Sequence, residues 1–314
     1  MLNTFEENRF RLKDAEIFAR IGGSGPPLVL LHGYPQTHFA WNSVAPILAE
    51  QFSVVVPDLR GYGESFGPDR DITHEGYSKR SMARDIVEVM DALGHTSFFV
   101  AGHDRGGRVA YRMAFDFPDK VKKLAVLDII PTPEALERVN AQSACRMYHW
   151  FFLSQPYPVP EELIEKAAGD HIQHFIETWV GRNKSISSVA MNEYRRCFEN
   201  PRSVLAACED YRAGLGVDAE HDLADRNAGR KITCPMLVVW GEEYRGVKAS
   251  DPKGIWENWA EDVQSISVPT GHFPMEEEPV ITSEILIRFF MKSNSQFNTG
   301  ARQGTCRLIH AANG

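Results

Sequence analysis

Asp104 sits in the run Val100-Ala101-Gly102-His103-Asp104-Arg105-Gly106-Gly107-Arg108, with small residues on either side of one reactive side chain. The apolar stretch Phe98–Ala101 leads in, and a helical segment from Val109 to Phe117 leads out. This is the layout of a nucleophile elbow, a tight strand-to-helix turn that lifts one side chain above a sheet. Serine is the usual occupant. A carboxylate there is ionised at neutral pH without a base, and it attacks saturated carbon to form an alkyl ester. Hydrolysis of that ester needs a base to activate water, and His272 in Gly271-His272-Phe273 is the candidate. Asp128, near the end of the apolar run Val121 to Ile130, is the candidate partner that orients the imidazole and stabilises its charged form. The backbone N–H groups of Arg105 and of Tyr34, in His32-Gly33-Tyr34-Pro35-Gln36, are expected to hold charge on the ester as water attacks. The plainer alternatives are a helix-capping aspartate for Asp104 and a strand-end turn residue for Asp128. The glycine frame and the spacing of His32-Gly33 and Gly271-His272 around it favour chemistry. His32 and His103 read as packed structural histidines.

The elements that must position these groups are visible as periodicity. Residues 10–20 alternate weakly, as a first antiparallel strand pair does. Pro27–Leu31, Phe52–Pro57, Ser97–Ala101, Val121–Ile130, Ile232–Gly241 and Val263–Val268 are apolar runs suited to strands buried on both faces. Between them Trp41 to Gln51 and Pro252–Ala260 read as helices, and so does the stretch after His272 to about Lys292. Ser81 to Leu93 repeats Met82, Ile86, Val89, Met90 and Leu93 at helical spacing and stops at Gly94. Strand and helix alternate, which predicts an α/β fold with a mostly parallel central sheet flanked by helices. From Pro131 to Ala228 the signals are helical and dense in aromatics, as in a helical cap inserted into the core. The expected organisation is a core over 1–130 and 229–292, a cap over 131–228, and a poorly ordered tail over 293–314 that is rich in Asn, Gln, Ser, Thr and Gly. The order Asp104, Asp128, His272 places each group just past a strand, where strand ends in a parallel sheet converge on one crevice.

Bulk properties narrow the function classes. The chain has 314 residues, 43% of them hydrophobic and 24% charged, with a net charge of −8. That charge argues against nucleic acid and anionic membrane as partners. No apolar run approaches the about 18 residues a membrane span needs, and the acidic N-terminus lacks a signal-peptide core. The five cysteines show no paired or metal-binding spacing, which points to reduced thiols and a cytoplasmic location.

The segments His103-Asp104-Arg105-Gly106-Gly107-Arg108, Leu127-Asp128-Ile129-Ile130-Pro131-Thr132, Tyr148-His149-Trp150, Asp210-Tyr211-Arg212-Ala213-Gly214 and Gly271-His272-Phe273 together resemble the fluoroacetate (haloacetate) dehalogenases of the α/β-hydrolase superfamily. The resemblance runs from about residue 10 to 292. It implies hydrolysis of 2-haloacetates to glycolate and halide with no cofactor and no metal. It implies that Arg105 and Arg108 bind the carboxylate of a small anionic haloacid, that His149, Trp150 and Tyr211 surround the departing halide, and that the protein is a homodimer. Epoxide hydrolases and haloalkane dehalogenases share Gly-His-Asp but usually carry Trp after the nucleophile, where this chain has Arg105.

Physical chemistry agrees with that transfer. A guanidinium fork matches a carboxylate and keeps its charge, and Arg108 lies one helical turn beyond Asp104. Fluoride leaves carbon with help only from donors placed where its charge develops, and imidazole, indole and phenol are such donors. Trp179 is a further candidate for the cavity wall. An epoxide hydrolase using the same Asp104 and His272, with Tyr148 and Tyr211 as acids, is the nearest rival. A ligand-binding receptor on the same fold is a more distant one.

Overall fold

The computed structural model describes residues 2–243 and 251–292. The 293–314 tail and most of the 242–250 loop lie outside the described residues. The strands are β1 (Glu6–Arg11), β2 (Glu16–Gly22), β3 (Pro27–Leu31), β4 (Ser53–Pro57), β5 (Phe98–His103), β6 (Val121–Leu127), β7 (Met236–Gly241) and β8 (Val263–Val268). They form one sheet in the order β1-β2-β4-β3-β5-β6-β7-β8. β2 pairs antiparallel with β1 and β4, and every other neighbour is parallel. β5, the strand that ends at the elbow, lies between β3 and β6.

The core helices are α1 (Ala45–Leu48), α2 (Lys79–Ala92) and α3 (Asp104–Asp116). Between β6 and β7 every helix or strand described is a helix: α4 (Thr132–Glu137), α5 (Ala141–Arg146), α6 (Tyr148–Leu153), α7 (Val159–Glu165), α8 (Ala168–Trp179), α9 (Ser188–Phe198), α10 (Pro201–Leu215) and α11 (Val217–Asn227). The chain closes with α12 (Lys253–Trp256), α13 (Pro274–Glu277) and α14 (Pro279–Met291).

Local chemistry explains most boundaries. The Ser78 hydroxyl accepts from Ser81 N–H and starts α2, which buries Met82, Ile86, Val89 and Met90. Two expected helices are shorter than their periodicity suggests. Trp41 to Gln51 resolves into a 3-10 turn over His38–Trp41 and the single turn α1, with Pro46 fitting only a first turn. Pro252–Ala260 supplies only α12. The final helix is interrupted at Glu278, because Pro279 has no N–H to continue the ladder.

Two apolar clusters cover the two faces of the sheet. One joins Leu28, Leu30, Val54 and Val56 to Trp41, Leu48, Phe289 and Phe290. The other joins Val29, Leu31, Val100 and Val126 to α2 and α3, then runs on into the cap through Trp150, Phe175, Trp179, Tyr194, Phe198 and Tyr211. The cap therefore shares a core with the sheet, with Tyr34 at the junction.

Candidate active site

Asp104 occupies the turn from β5 to α3 with φ +47, a left-handed conformation that a side chain adopts only under constraint. Glycines make the constraint possible. A Cβ on Gly33 would lie 2.4 Å from the Asp104 Cβ, and one on Gly106 would lie 2.3 Å from the His32 carbonyl oxygen. Asp128 follows β6, also with positive φ (+55), and His272 follows β8. The three chain segments meet at the carboxyl ends of the parallel strands.

His272 Nδ1–H donates to Asp128 Oδ2 at 2.6 Å, and Gly241 N–H donates to Asp128 Oδ1 at 2.9 Å. On the other side, His272 Nε2 lies 3.8 Å from Asp104 Oδ2. That spacing exceeds a direct hydrogen bond. Tyr34 N–H donates to Asp104 Oδ1 at 2.8 Å. The Arg105 N–H, also expected at this carboxylate, makes no hydrogen bond to it in this geometry. Burial pushes the Asp104 carboxyl up, yet His272, His103 and Arg105 together hold it well below the usual carboxylate range. Burial pulls His272 down, and the carboxylates of Asp104 and Asp128 outweigh it, raising its pKa to about 9.

The two arginines behave differently. Arg105 is bound by Asp210 of α10, with Nε donating to Oδ2 at 2.9 Å and Nη2 to Oδ1 at 2.6 Å, while its face packs on the Tyr211 ring. Arg108 lines the catalytic cavity and is 4% exposed. Its Nη1 donates to Thr132 Oγ1 at 2.7 Å and to the Ile130 carbonyl at 3.2 Å. Its Nε is buried without a partner, and among the described residues no carboxylate lies within 4.0 Å of it. The Trp150 ring sits under its guanidinium at 4.7 Å. The expectation that both arginines open onto one cavity thus divides. Asp210 takes one edge of Arg105, whereas Arg108 is a buried cation without a counter-ion among the described residues.

The cavity is small, about 70 Å³, and is walled by Asp104, Arg108, His149, Trp150, Trp179 and His272 among others. Burial lowers the His149 pKa to about 3, so the ring is neutral, and its Nδ1 has no partner. Burial, with Asp104 nearby, raises the Tyr211 phenol well above its ordinary value and keeps its proton on. Tyr211 stands behind His149 and Trp150, with ring centroids at 5.7 and 6.3 Å. Tyr148, half exposed, opens on a separate outer chamber of about 770 Å³ that shares Trp179 with the inner cavity. Among the described residues no cluster has the make-up of a metal site.

His103 and His32 are buried. His103 Nε2–H donates to the His272 carbonyl at 2.7 Å, and burial lowers its pKa to about 3. His32 bridges the Gly33 carbonyl and Leu59 N–H.

Three supporting residues have roles that the sequence reading did not assign. Asp210 fixes Arg105; it precedes Tyr211, but nothing local marks it. Glu277 clamps the His272 loop, accepting from Gly271 N–H at 2.8 Å and Phe273 N–H at 2.9 Å, and it also accepts from Gly181 N–H of the cap at 2.9 Å. Thr132, just beyond the Asp128 turn, aligns Arg108. Asp210 and Thr132 lie inside segments quoted from the sequence, and an acidic residue a few positions past the histidine is the signal that could have flagged Glu277.

An eight-stranded, mostly parallel sheet with a glycine-framed carboxylate on the β5 elbow and a paired histidine after β8 defines a hydrolase of the α/β class. The family model for the alpha/beta hydrolase fold matches residues 26–279, and the chain belongs to that family, in a dehalogenase-like form. It is 38% identical over 304 residues to fluoroacetate dehalogenase from Burkholderia sp, covering 96% of this chain and 99% of the relative. It is also 37% identical over 273 residues to soluble epoxide hydrolase from Corynebacterium sp., covering 85% and 91%. A solved α/β-hydrolase structure from Nostoc sp superposes with a TM-score of 0.90 at 44% identity, covering 93% of this chain and all of the other (100%).

Proposed function

We propose that this hydrolase converts 2-haloacetates, fluoroacetate included, to glycolate and halide through an ester on Asp104. The observation that carries the reading is Arg108, a buried guanidinium without a counter-ion among the described residues, on a small cavity that also holds an ionised elbow carboxylate. A buried cation of this kind is stabilised by an anion that enters. Arg108 would take one carboxylate oxygen of the substrate, and Arg105, whose Nε and Nη2 bind Asp210, would offer its Nη1 to the other.

Asp104 Oδ2 then attacks the halogenated carbon. The C–O bond forms as the carbon–halogen bond breaks, and the halide leaves with the bonding pair toward His149, Trp150 and Tyr211. Esterification removes the Asp104 charge, so His272 loses one of the two carboxylates that hold its proton, releases that proton to solvent and becomes a base. It accepts a proton from water, whose oxygen adds to the ester carbonyl carbon. Tyr34 N–H, and Arg105 N–H if the turn adjusts, stabilises the oxygen that becomes negative. Collapse breaks the bond between the Asp104 carbonyl carbon and the ester oxygen, which leaves with the alkyl group and takes the proton from His272 to give glycolate, and Asp104 is regenerated with an oxygen from water.

The epoxide-hydrolase alternative needs acids at the cavity to protonate an alkoxide. Tyr148 faces the outer chamber, Tyr211 stands behind the cavity wall, and an uncharged epoxide would leave Arg108 unmatched. Halide release from fluoroacetate and chloroacetate, measured beside diol formation from a small epoxide, tests the substrate class. His272→Asn should release one equivalent of halide and gain the mass of one carboxymethyl group. Faster turnover of the epoxide, or an unmodified His272→Asn protein that releases a full equivalent of halide, would overturn the reading.

A further inference from the structure

Tyr34 belongs to the core by its backbone and to the cap by its side chain. Its N–H holds Asp104 Oδ1 at 2.8 Å. Its ring, fully buried, meets His149 of α6, Phe175 and Trp179 of α8, Phe198 of α9 and Tyr211 of α10, with centroids between 5.3 and 6.3 Å. The cage fixes the ring laterally, but aromatic contacts tolerate sliding along the ring axis. One directional contact sets its depth: the phenol oxygen lies 2.9 Å from His171 Nε2, one face of α8 reaching across 137 residues of sequence. The His171 ring is itself held, stacked on Phe198 and edge-on to Phe175.

We propose that the cap residue His171 is a positioning residue for ester hydrolysis, holding Tyr34, and so its backbone N–H, at the oxygen of Asp104 that becomes the oxyanion. This rests on the covalent-ester reading. The same N–H serves the two steps unequally. During displacement the charge on the Asp104 carboxylate falls, so a donor on Oδ1 does not speed the step. During hydrolysis Oδ1 gains a full negative charge, and the donor counts most there. A contact that only filled the cap would show no such preference.

Single turnovers with chloroacetate separate the steps, chloride release reporting displacement and glycolate release reporting hydrolysis. His171→Phe keeps the stacked ring and removes the nitrogen; Tyr34→Phe keeps the caged ring and removes the phenol oxygen. If one fails to fold, the other tests the same bond. In either variant chloride release should stay within about twofold, while glycolate release falls about fivefold to tenfold, the worth of one hydrogen bond. Ester on Asp104 should accumulate, and the double variant should be no slower than a single one. Equal loss in both steps, unchanged hydrolysis, or losses that multiply in the double variant would overturn the positioning role while ester trapped by His272→Asn still upheld the covalent route. Absence of ester in His272→Asn as well would overturn both.

Discussion

At the scale of residues, the site is a balance of charges in a space that excludes most water. Asp104 stays ionised because cationic or polar groups surround it, and the described partners of the Arg108 guanidinium are a hydroxyl, a carbonyl and the Trp150 ring. Replacing Arg108 with Leu should therefore act on anionic substrates alone. We expect kcat/KM for chloroacetate to fall by about 2–5 kcal/mol in transition-state terms, the usual loss on truncating one member of a buried charge pair. Turnover of neutral chloroacetamide, expected to be slow in the parent, should not fall. Equal loss on acid and amide would make Arg108 a structural residue. The donors at the far wall divide substrates by leaving group. Trp150→Phe keeps the ring under Arg108 and removes the indole N–H. It should slow defluorination by at most about 2.7–4 kcal/mol, the range for one lost donor at a developing anion, and dechlorination far less, because fluoride concentrates its charge most. Equal losses would leave Trp150 as cavity wall only.

At the scale of elements, loops from distant parts of the chain are tied to one another beneath the site. The Tyr34 loop and α13, which follows His272, are joined by the Gln36 Nε2–H bond to Glu276 Oε2. Burial raises the Glu276 carboxyl to about 8, and the Gln36 bond only partly offsets this. A carboxyl whose folded pKa exceeds its ordinary value of 4.5 binds its proton more tightly in the folded state. Its contribution to stability is whole below about pH 4.5 and declines as pH rises toward 8. Glu276→Gln keeps a neutral group of the same shape. It should raise the thermal midpoint relative to the parent at pH 8 and flatten its fall between pH 5 and 8. Unchanged pH dependence would show that Glu276 is already ionised in the folded protein.

At the scale of the molecule, the cap is fastened to the core by buried acids on two of its helices. Asp210 of α10 meets Arg105 and Lys79, and Asp218 of α11 accepts from Lys79 N–H at 2.7 Å. Asp222 and Asp225 of α11 meet Arg112 of α3 at 2.5 and 2.6 Å. Removing Arg112 leaves the buried Asp222 with the Tyr111 hydroxyl and Asp225 with Arg230, so Asp222 loses its ion-pair partner inside the fold. Arg112→Met should lower unfolding stability by about 3–5 kcal/mol, seen as a lower urea midpoint, while ligand-free cavity residues remain in place. A loss below about 1 kcal/mol, typical of exposed pairs, would show that water reaches these aspartates.

The chain's order alone was enough for the elbow, the strand ends and the histidine beyond β8. Each depends on local patterns: glycines around Asp104, and apolar runs that stop where a reactive residue begins. The helical stretch between β6 and β7 was legible for the same reason, whereas Trp41–Gln51 was overread because periodicity does not register how little helix Pro46 permits. Tertiary structure decided which arginine keeps its charge unmatched. Asp210 and Arg105 are 105 residues apart, and nothing near either in sequence announces that they pair. It also decided that Tyr34 is caged by four cap helices, that Glu277 clamps the His272 loop, and that Tyr148 turns outward while His149 and Trp150 turn in. Local sequence sets backbone geometry and burial through short-range sterics and periodicity. The pairing of buried charges and donors depends on which distant surfaces close on one another, and only the folded chain specifies that.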